Sequence, residues 1–184
     1  MLVPTKPVST NMMTAVALFC CGFIFILSFN QEPVYSSVDD EQKFWAGLEG
    51  EFVKPQAVTN ASGMAMFETI QGNIRYILDV TSIDGVTSAQ IHSGDIVENG
   101  PIIATLFGSN GTVTGDINGT LTQGEITSSM LQGPYAGMNS SQLVLAMKNI
   151  TTYVDVSTVD YPDGEIRGQI MSANSTHAEI MPMK

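Results

Sequence analysis

The chain has 184 residues, only 14% of them charged; acids outnumber bases 18 to 7, which gives a net charge of −11 and a pI near 4.3. That balance excludes a nucleic-acid backbone as partner, because affinity for phosphates comes mainly from Lys and Arg, and the length admits one globular domain with extensions. The two cysteines, Cys20 and Cys21, are adjacent, so the rest of the chain has neither a disulfide nor a thiolate metal site.

Residues 1–11 carry a single base, Lys6, and read as a cytoplasmic N-terminus. The following run, MMTAVALFCCGFIFILSF (Met12 to Phe29), has no charge. As a helix rising about 1.5 Å per residue it would reach ~27 Å, against a hydrocarbon core of ~30 Å. Lys6 precedes it while Glu32, Asp39, Asp40 and Glu41 follow, which places the C-terminal bulk outside the cell. Two readings stay open. An uncleaved transmembrane anchor is favoured by the lack of a small-x-small cleavage site and by the bulky Phe19 in LFCC; a cleaved signal peptide needs an apolar region of only ~7–15 residues. The protein is expected at the cell membrane with an extracellular C-terminal domain, or secreted if the segment is cleaved. Residues 30–42, NQEPVYSSVDDEQ, are polar and acidic and read as a tether.

From Phe44 the texture changes to short strand-like runs punctuated by glycine. MAMFETI (Met64 to Ile70) and IRYILDV (Ile74 to Val80) flank QGN, a hairpin signal. Ile74, Tyr76, Leu78 and Val80 alternate with Arg75, Ile77, Asp79 and Thr81, so one face is expected to be buried and the other wet. PIIATLF (Pro101 to Phe107) and TVTGDINGTL (Thr112 to Leu121) continue the pattern and are expected to be joined by a turn at GSNG. NSSQLVLAMKN (Asn139 to Asn149) breaks it: Leu143, Ala146 and Met147 lie at helical spacing behind an Asn or Ser cap. Strands resume at Ile150, and residues 172–184 read as a loose tail. The pattern over residues 43–171 predicts an all-β, antiparallel β-sandwich with one short helix.

The densest polar stretch is YVDVSTVDYPDGEIRGQI (Tyr153 to Ile170). Strand alternation puts Val154, Val156 and Thr158 on one face and Tyr153, Asp155, Ser157 and Val159 on the other. YPDG sets Pro162 and Gly164 at the second and fourth positions of a type I turn. On the return strand Ile166, Gly168 and Ile170 oppose Glu165, Arg167 and Gln169. Arg167 is expected to pair with Glu165 or Asp155, so Tyr153, Asp155, Pro162, Gly164, Glu165, Arg167 and Gly168 read as the structural motif of a closing hairpin.

Asn-x-Ser/Thr sequons occupy Asn60, Asn110, Asn118, Asn139, Asn149 and Asn174, six of the ten asparagines, all beyond the apolar segment. They read as glycosylation acceptors, although Asn-Gly-Thr at Asn110 and Asn118 is also ordinary turn chemistry.

Chemistry-bearing residues are few. Two histidines, one of them (His177) in the tail, exclude a Ser–His–acid triad and an imidazole-rich zinc or copper site within one chain. His92, two residues after Gln90 and on the same strand face, reads either as a histidine bonded to a neighbouring loop or as a ligand or proton donor. His92 with Asp95 and Glu98, or Asp160, Asp163 and Glu165 around the turn, are the candidates for a metal site, but no D-x-D-x-D-G loop is present. No cofactor is expected.

Four stretches together resemble the CHRD domain, named after chordin and found in many microbial secreted proteins. They are FWAGLEGEFVKPQAVTNASGMAMF (Phe44 to Phe67), VTSAQIHSGDIVENGPIIATL (Val86 to Leu106), GTVTGDINGTLT (Gly111 to Thr122) and the hairpin Tyr153 to Ile170. Gly50, Glu51 and Pro55 fit the family's opening pattern only loosely. The resemblance implies an immunoglobulin-like or superoxide-dismutase-like sandwich. Typical members read A-H-I-H where this chain has Ala89-Gln90-Ile91-His92, and N-V-H-T where it has Asp155-Val156-Ser157-Thr158. Two of three signature histidines are therefore Gln90 and Ser157 here.

The function expected from these readings is binding or structural, at the cell surface, without enzymatic activity. The partner is an unidentified surface protein or glycan, and the membrane is engaged through the N-terminal helix. The alternatives are a metal-dependent, superoxide-dismutase-like activity using His92 with carboxylates, and a calcium-stabilised adhesion domain.

Overall fold

The computed structural model describes residues 41–173. The predicted anchor or signal segment at 12–29, most of the tether, Asn174, His177 and the rest of the tail lie outside them. Among the described residues no helix is long and apolar enough to cross a membrane.

The described residues form nine strands and one α-helix: β1 (Lys43–Glu49), β2 (Ser62–Ile70), β3 (Asn73–Ile83), β4 (Val86–Ser93), β5 (Ile102–Val113), β6 (Ile117–Ile126), α1 (Ser140–Lys148), β7 (Thr152–Thr158), β8 (Ile166–Gln169) and β9 (Met171–Ser172). Every strand pair is antiparallel. The β2–β3 hairpin falls where QGN predicts it, with Gln71 at φ 50° and Gly72 at φ 82°. Positive φ at both central residues matches the twist of the flanking strands. In β3 the expected alternation holds: Ile74, Tyr76, Leu78 and Val80 are buried, while Arg75, Ile77, Asp79 and Thr81 are not. Each fully buried Ile, Leu or Val of that row contributes about 1.5–3 kcal/mol relative to exposure.

Helix α1 also falls where its spacing predicts. Leu143, Ala146 and Met147 are buried. Asn139 occupies the N-cap position without a capping bond from its side chain. The helix is anchored instead through Ser140, whose hydroxyl donates to Gly72 O in the β2–β3 turn.

The turn expected at GSNG is not there. Residues 108–111 continue β5, and the chain reverses at residues 114–116, where Gly115 N donates to Asp84 Oδ1 at 2.6 Å. Nor do the flanking strands pair with each other: β5 pairs with β4 and β6 with β3. Alternation in sequence identifies strands but says nothing of which strand is the neighbour.

Two stacked sheets are expected, but backbone hydrogen bonding joins all nine strands into one, in the order β5-β4-β7-β8-β1-β2-β3-β6 with β9 on β1. Its two four-stranded halves meet at β8 and β1 through the pair Glu49–Arg167, supplemented by β9 against Phe44 and Trp45. The architecture is barrel-like. Its two ends approach through side chains rather than a ladder: Tyr76 Oη donates to Leu106 O at 2.8 Å and Thr122 Oγ1 to the same oxygen at 3.3 Å. A single core, from Phe44 and Leu48 through Leu78 and Ile91 to Val154 and Ile166, fills the space between the halves.

Candidate functional site

Strands β4, β7 and β8 are neighbours, and β7 is covered on both faces. Val154 and Val156 enter the core, as alternation predicts. The opposite face is buried too: Tyr153 is 0% and Asp155 4% exposed. Cross-strand pairing places Gln90 opposite Asp155 opposite Arg167, and His92 opposite Tyr153 opposite Gln169. Directly opposed side chains on one face are within contact range, so the polar residues of this face meet.

The centre is an ion pair. Arg167 Nε donates to Asp155 Oδ2 at 2.9 Å, with the two side chains 2% and 5% exposed. Of the two carboxylates expected for Arg167, only Asp155 is used. Glu165 points elsewhere and is buried, accepting from Thr59 Oγ1 at 2.6 Å and Thr158 Oγ1 at 2.7 Å. The Arg167 guanidinium lies 4.5 Å from the Tyr153 ring centroid, and the His92 ring stacks on the same tyrosine at 5.0 Å and 9°. Since β7 lies between β4 and β8, imidazole and guanidinium reach the ring from strands on either side of it. Tyr153 Oη accepts from Gly100 N at 2.9 Å, and burial holds its pKa above the ordinary value, the hydrogen bond to Gly100 and the charge of Arg167 opposing that shift. Burial also raises the Asp155 carboxyl, against the opposing pull of Arg167, His92 and the Ser157 hydroxyl.

His92 Nδ1 lies 2.8 Å from Gly100 O. A carbonyl only accepts, so Nδ1 carries a proton in this contact. The turn Tyr161–Gly164 closes with Gly164 N donating to Tyr161 O at 3.1 Å. Gly164 has φ 118°, and a Cβ there would lie 2.6 Å from Asp155 Oδ2. The Pro-Asp-Gly turn thus needs glycine twice, for its backbone and for the carboxylate behind it.

Around the ion pair is a pocket of about 210 Å³, lined by Gln90 and His92, by Tyr153, Asp155 and Ser157, by Arg167, and at its rim by Asn99, Gly100, Pro162 and Asp163. Arg167 Nη1 is enclosed and has no hydrogen-bond partner. Gln90, His92 and Ser157, the three positions where the resemblance expects histidine, therefore share one pocket. With Gln and Ser at two of them, the residues do not fit an imidazole-held metal. Among the described residues no three His, Cys, Asp or Glu side chains gather as a metal site.

The model of the CHRD domain matches residues 44–170. The chain belongs to the CHRD domain family. The match runs from Phe44 in β1 to Ile170 after β8, so the CHRD domain here takes in both halves of the sheet and the whole pocket. No curated protein and no solved structure matches the chain.

The remaining sequence candidates are scattered. Asp95 is exposed and caps its own loop, accepting from Val97 N at 3.0 Å. Glu98 and Asp160 are exposed, and Asp163 reaches only the rim. Of the sequons, Asn60, Asn118, Asn139 and Asn149 are exposed and Asn110 lies in β5. Asn118 is engaged, accepting from Ser82 N at 3.0 Å and donating to Asp116 Oδ2 at 3.1 Å. Sequence reasoning missed Asn99 and Gly100 as pocket residues and Thr59 as a partner of Glu165. It also missed Gln169, whose Nε2 donates to Thr152 O at 2.8 Å and Ile150 O at 2.9 Å. All but Gln169 lie in loops, where no periodicity marks a direction.

Proposed function

We propose that the CHRD domain is an extracytoplasmic binding module that takes a polar group of its partner in the β4–β7–β8 pocket, and that Met12 to Phe29 anchors it at the cell surface. The observation that carries this reading is Arg167: 2% exposed, lining the pocket, with Nη1 lacking an acceptor. A buried N–H without an acceptor costs about 1–3 kcal/mol, and a ligand oxygen that displaces the side chains enclosing Nη1 would remove that cost. Gln90, Asn99 and Ser157 add amide and hydroxyl groups that orient a ligand without doing chemistry on it. Family membership supports the same binding or structural role.

The superoxide-dismutase-like sandwich implied by the resemblance corresponds, in this reading, to the two four-stranded halves facing each other across one core. A metal-dependent activity of His92 with carboxylates has less support, because Asp155, the buried carboxylate that lines its pocket, is already engaged by Arg167. A calcium-stabilised domain has less again, because both oxygens of Glu165 are taken by threonine hydroxyls.

The test is full-length protein in detergent on arrays of acidic and neutral oligosaccharides and peptides, with Gln90→Phe and Ser157→Phe as pocket-filling variants. The expected result is retention on one ligand class, weakened at least ~10-fold by either variant, the effect of losing one well-placed polar contact. Equal retention by parent and variants, or no retained ligand, overturns the proposal.

A further inference from the structure

The other half of the sheet presents a face that the pocket does not use. Register makes Trp45, Met66, Ile77 and Gln123 consecutive neighbours across β1, β2, β3 and β6. Met66 is 44% exposed and Met64, two residues along β2, 41%, with Trp45 and Ile77 half-buried beside them. A groove of about 370 Å³ runs over Trp45, Met66 and Ile77. Two residues along, Lys43, Glu68, Arg75 and Glu125 form a second row across the same strands, with charges in the order plus, minus, plus, minus. Lys43 Nζ is 3.2 Å from Glu68 Oε1, and Arg75 Nη1 is 4.0 Å from Glu68 Oε2.

A charged ladder alone is ordinary cross-strand pairing. The apolar row beside it is not explained that way, and the order of the charges says what could cover both. We propose that this face docks the same face of a second copy of the chain, about a twofold axis parallel to the strands and running between β2 and β3. That operation exchanges β1 with β6 and β2 with β3. It sets Lys43 against the partner's Glu125, Glu68 against the partner's Arg75, and Met66 against the partner's Ile77. The interface is isologous, as twofold contacts are, and no like charges meet. In the third row, Asp79 faces the partner's Met64 while held by Thr120 Oγ1 at 2.6 Å.

The contact is small. Four strands ~4.8 Å apart and five residues at ~3.4 Å make a face of about 320 Å² per copy, below the ~800 Å² per partner of a standard interface. The pairing is therefore weak and needs a high local concentration; the inference rests here on the anchor proposed above, which would hold chains together in one membrane.

The experiment is zero-length carbodiimide coupling of mixed 14N- and 15N-labelled full-length protein, reconstituted at high density in lipid vesicles under reducing conditions. A mixed-isotope crosslink joining Lys43 to Glu125 is expected, since a zero-length reagent joins only groups already in contact. Met66→Lys is expected to cut its yield at least ~5-fold, because the interface would then bury an unpaired charge. Glu68→Arg and Arg75→Glu are each expected to lower it, and the two together to restore it. Absence of that mixed-isotope product, an unchanged yield in Met66→Lys, or no restoration by the double exchange overturns the proposal. None of these outcomes bears on the pocket, which lies on β4, β7 and β8.

Discussion

Asp155 and Arg167 show how a single pair decides the character of a sheet face. Desolvation raises the Asp155 carboxyl above its ordinary 3.8, and Arg167 opposes that through its charge and its hydrogen bond. A carboxyl with a raised folded-state pKa binds more protons folded than unfolded between the two values, so its contribution to stability is complete below the ordinary pKa and lost as pH rises through the folded one. Replacing Arg167 with Gln removes the two influences that lower it most. Asp155 is then expected to titrate higher than in the parent, and the loss of stability with rising pH to extend to higher pH. Carboxyl ¹³C titration and denaturant unfolding at several pH values check the two halves of this statement. At neutral pH the same substitution is expected to cost about 3–5 kcal/mol, as breaking one side of a buried pair does. A parent-like Asp155 titration in that variant would show that Arg167 does not control it. That Asp155 and Arg167 stand opposite each other was half-legible in the sequence, where Glu165 competed as partner. Thr59, 106 residues from Glu165, removes the competitor, and no local pattern could have named it.

At the scale of elements, hairpins and the helix follow from local chemistry, whereas the junction of the halves does not. Gly168 in β8 sits where β8 meets β1, and a Cβ there would overlap Gly47 O and crowd Leu48 N. Backbone, unlike a flexible side chain, cannot step aside. Gly168→Ala is therefore expected to cost about 3 kcal/mol, at the upper end for overpacking, measured as a lowered denaturation midpoint. Gly47→Ala, whose nearest contact would be the Trp45 ring at 3.6 Å, is expected to cost far less. Equal effects would mean that the β8–β1 approach is not what restricts Gly168. The sequence shows Gly168 as one residue of a turn-and-return motif; its actual constraint comes from a strand more than a hundred residues away.

For the whole molecule, the proposed extracytoplasmic location rests on the proposed anchor and on glycosylation of the exposed sequons, and one measurement addresses both. The intact native protein is expected to exceed its 19.7 kDa polypeptide mass by at least one N-glycan, removable by amidase, with Met12 to Phe29 still attached. A mass equal to the polypeptide value would remove glycosylation from the proposal, and a deglycosylated mass lower by the N-terminal segment would remove the retained anchor. Composition, the uncharged segment, strand alternation in β3, the QGN hairpin, helix α1 and the resemblance of four stretches to the CHRD domain could all be read from the sequence alone. Each depends on neighbours a few residues apart or on residue types in order. The single barrel-like sheet, the burial of both faces of β7, the choice of Asp155 by Arg167 and the gathering of Gln90, His92 and Ser157 around one pocket were decided only in the tertiary structure. They depend on which strand lies beside which, and pairing across long loops is set by the closure of the whole core rather than by any local preference.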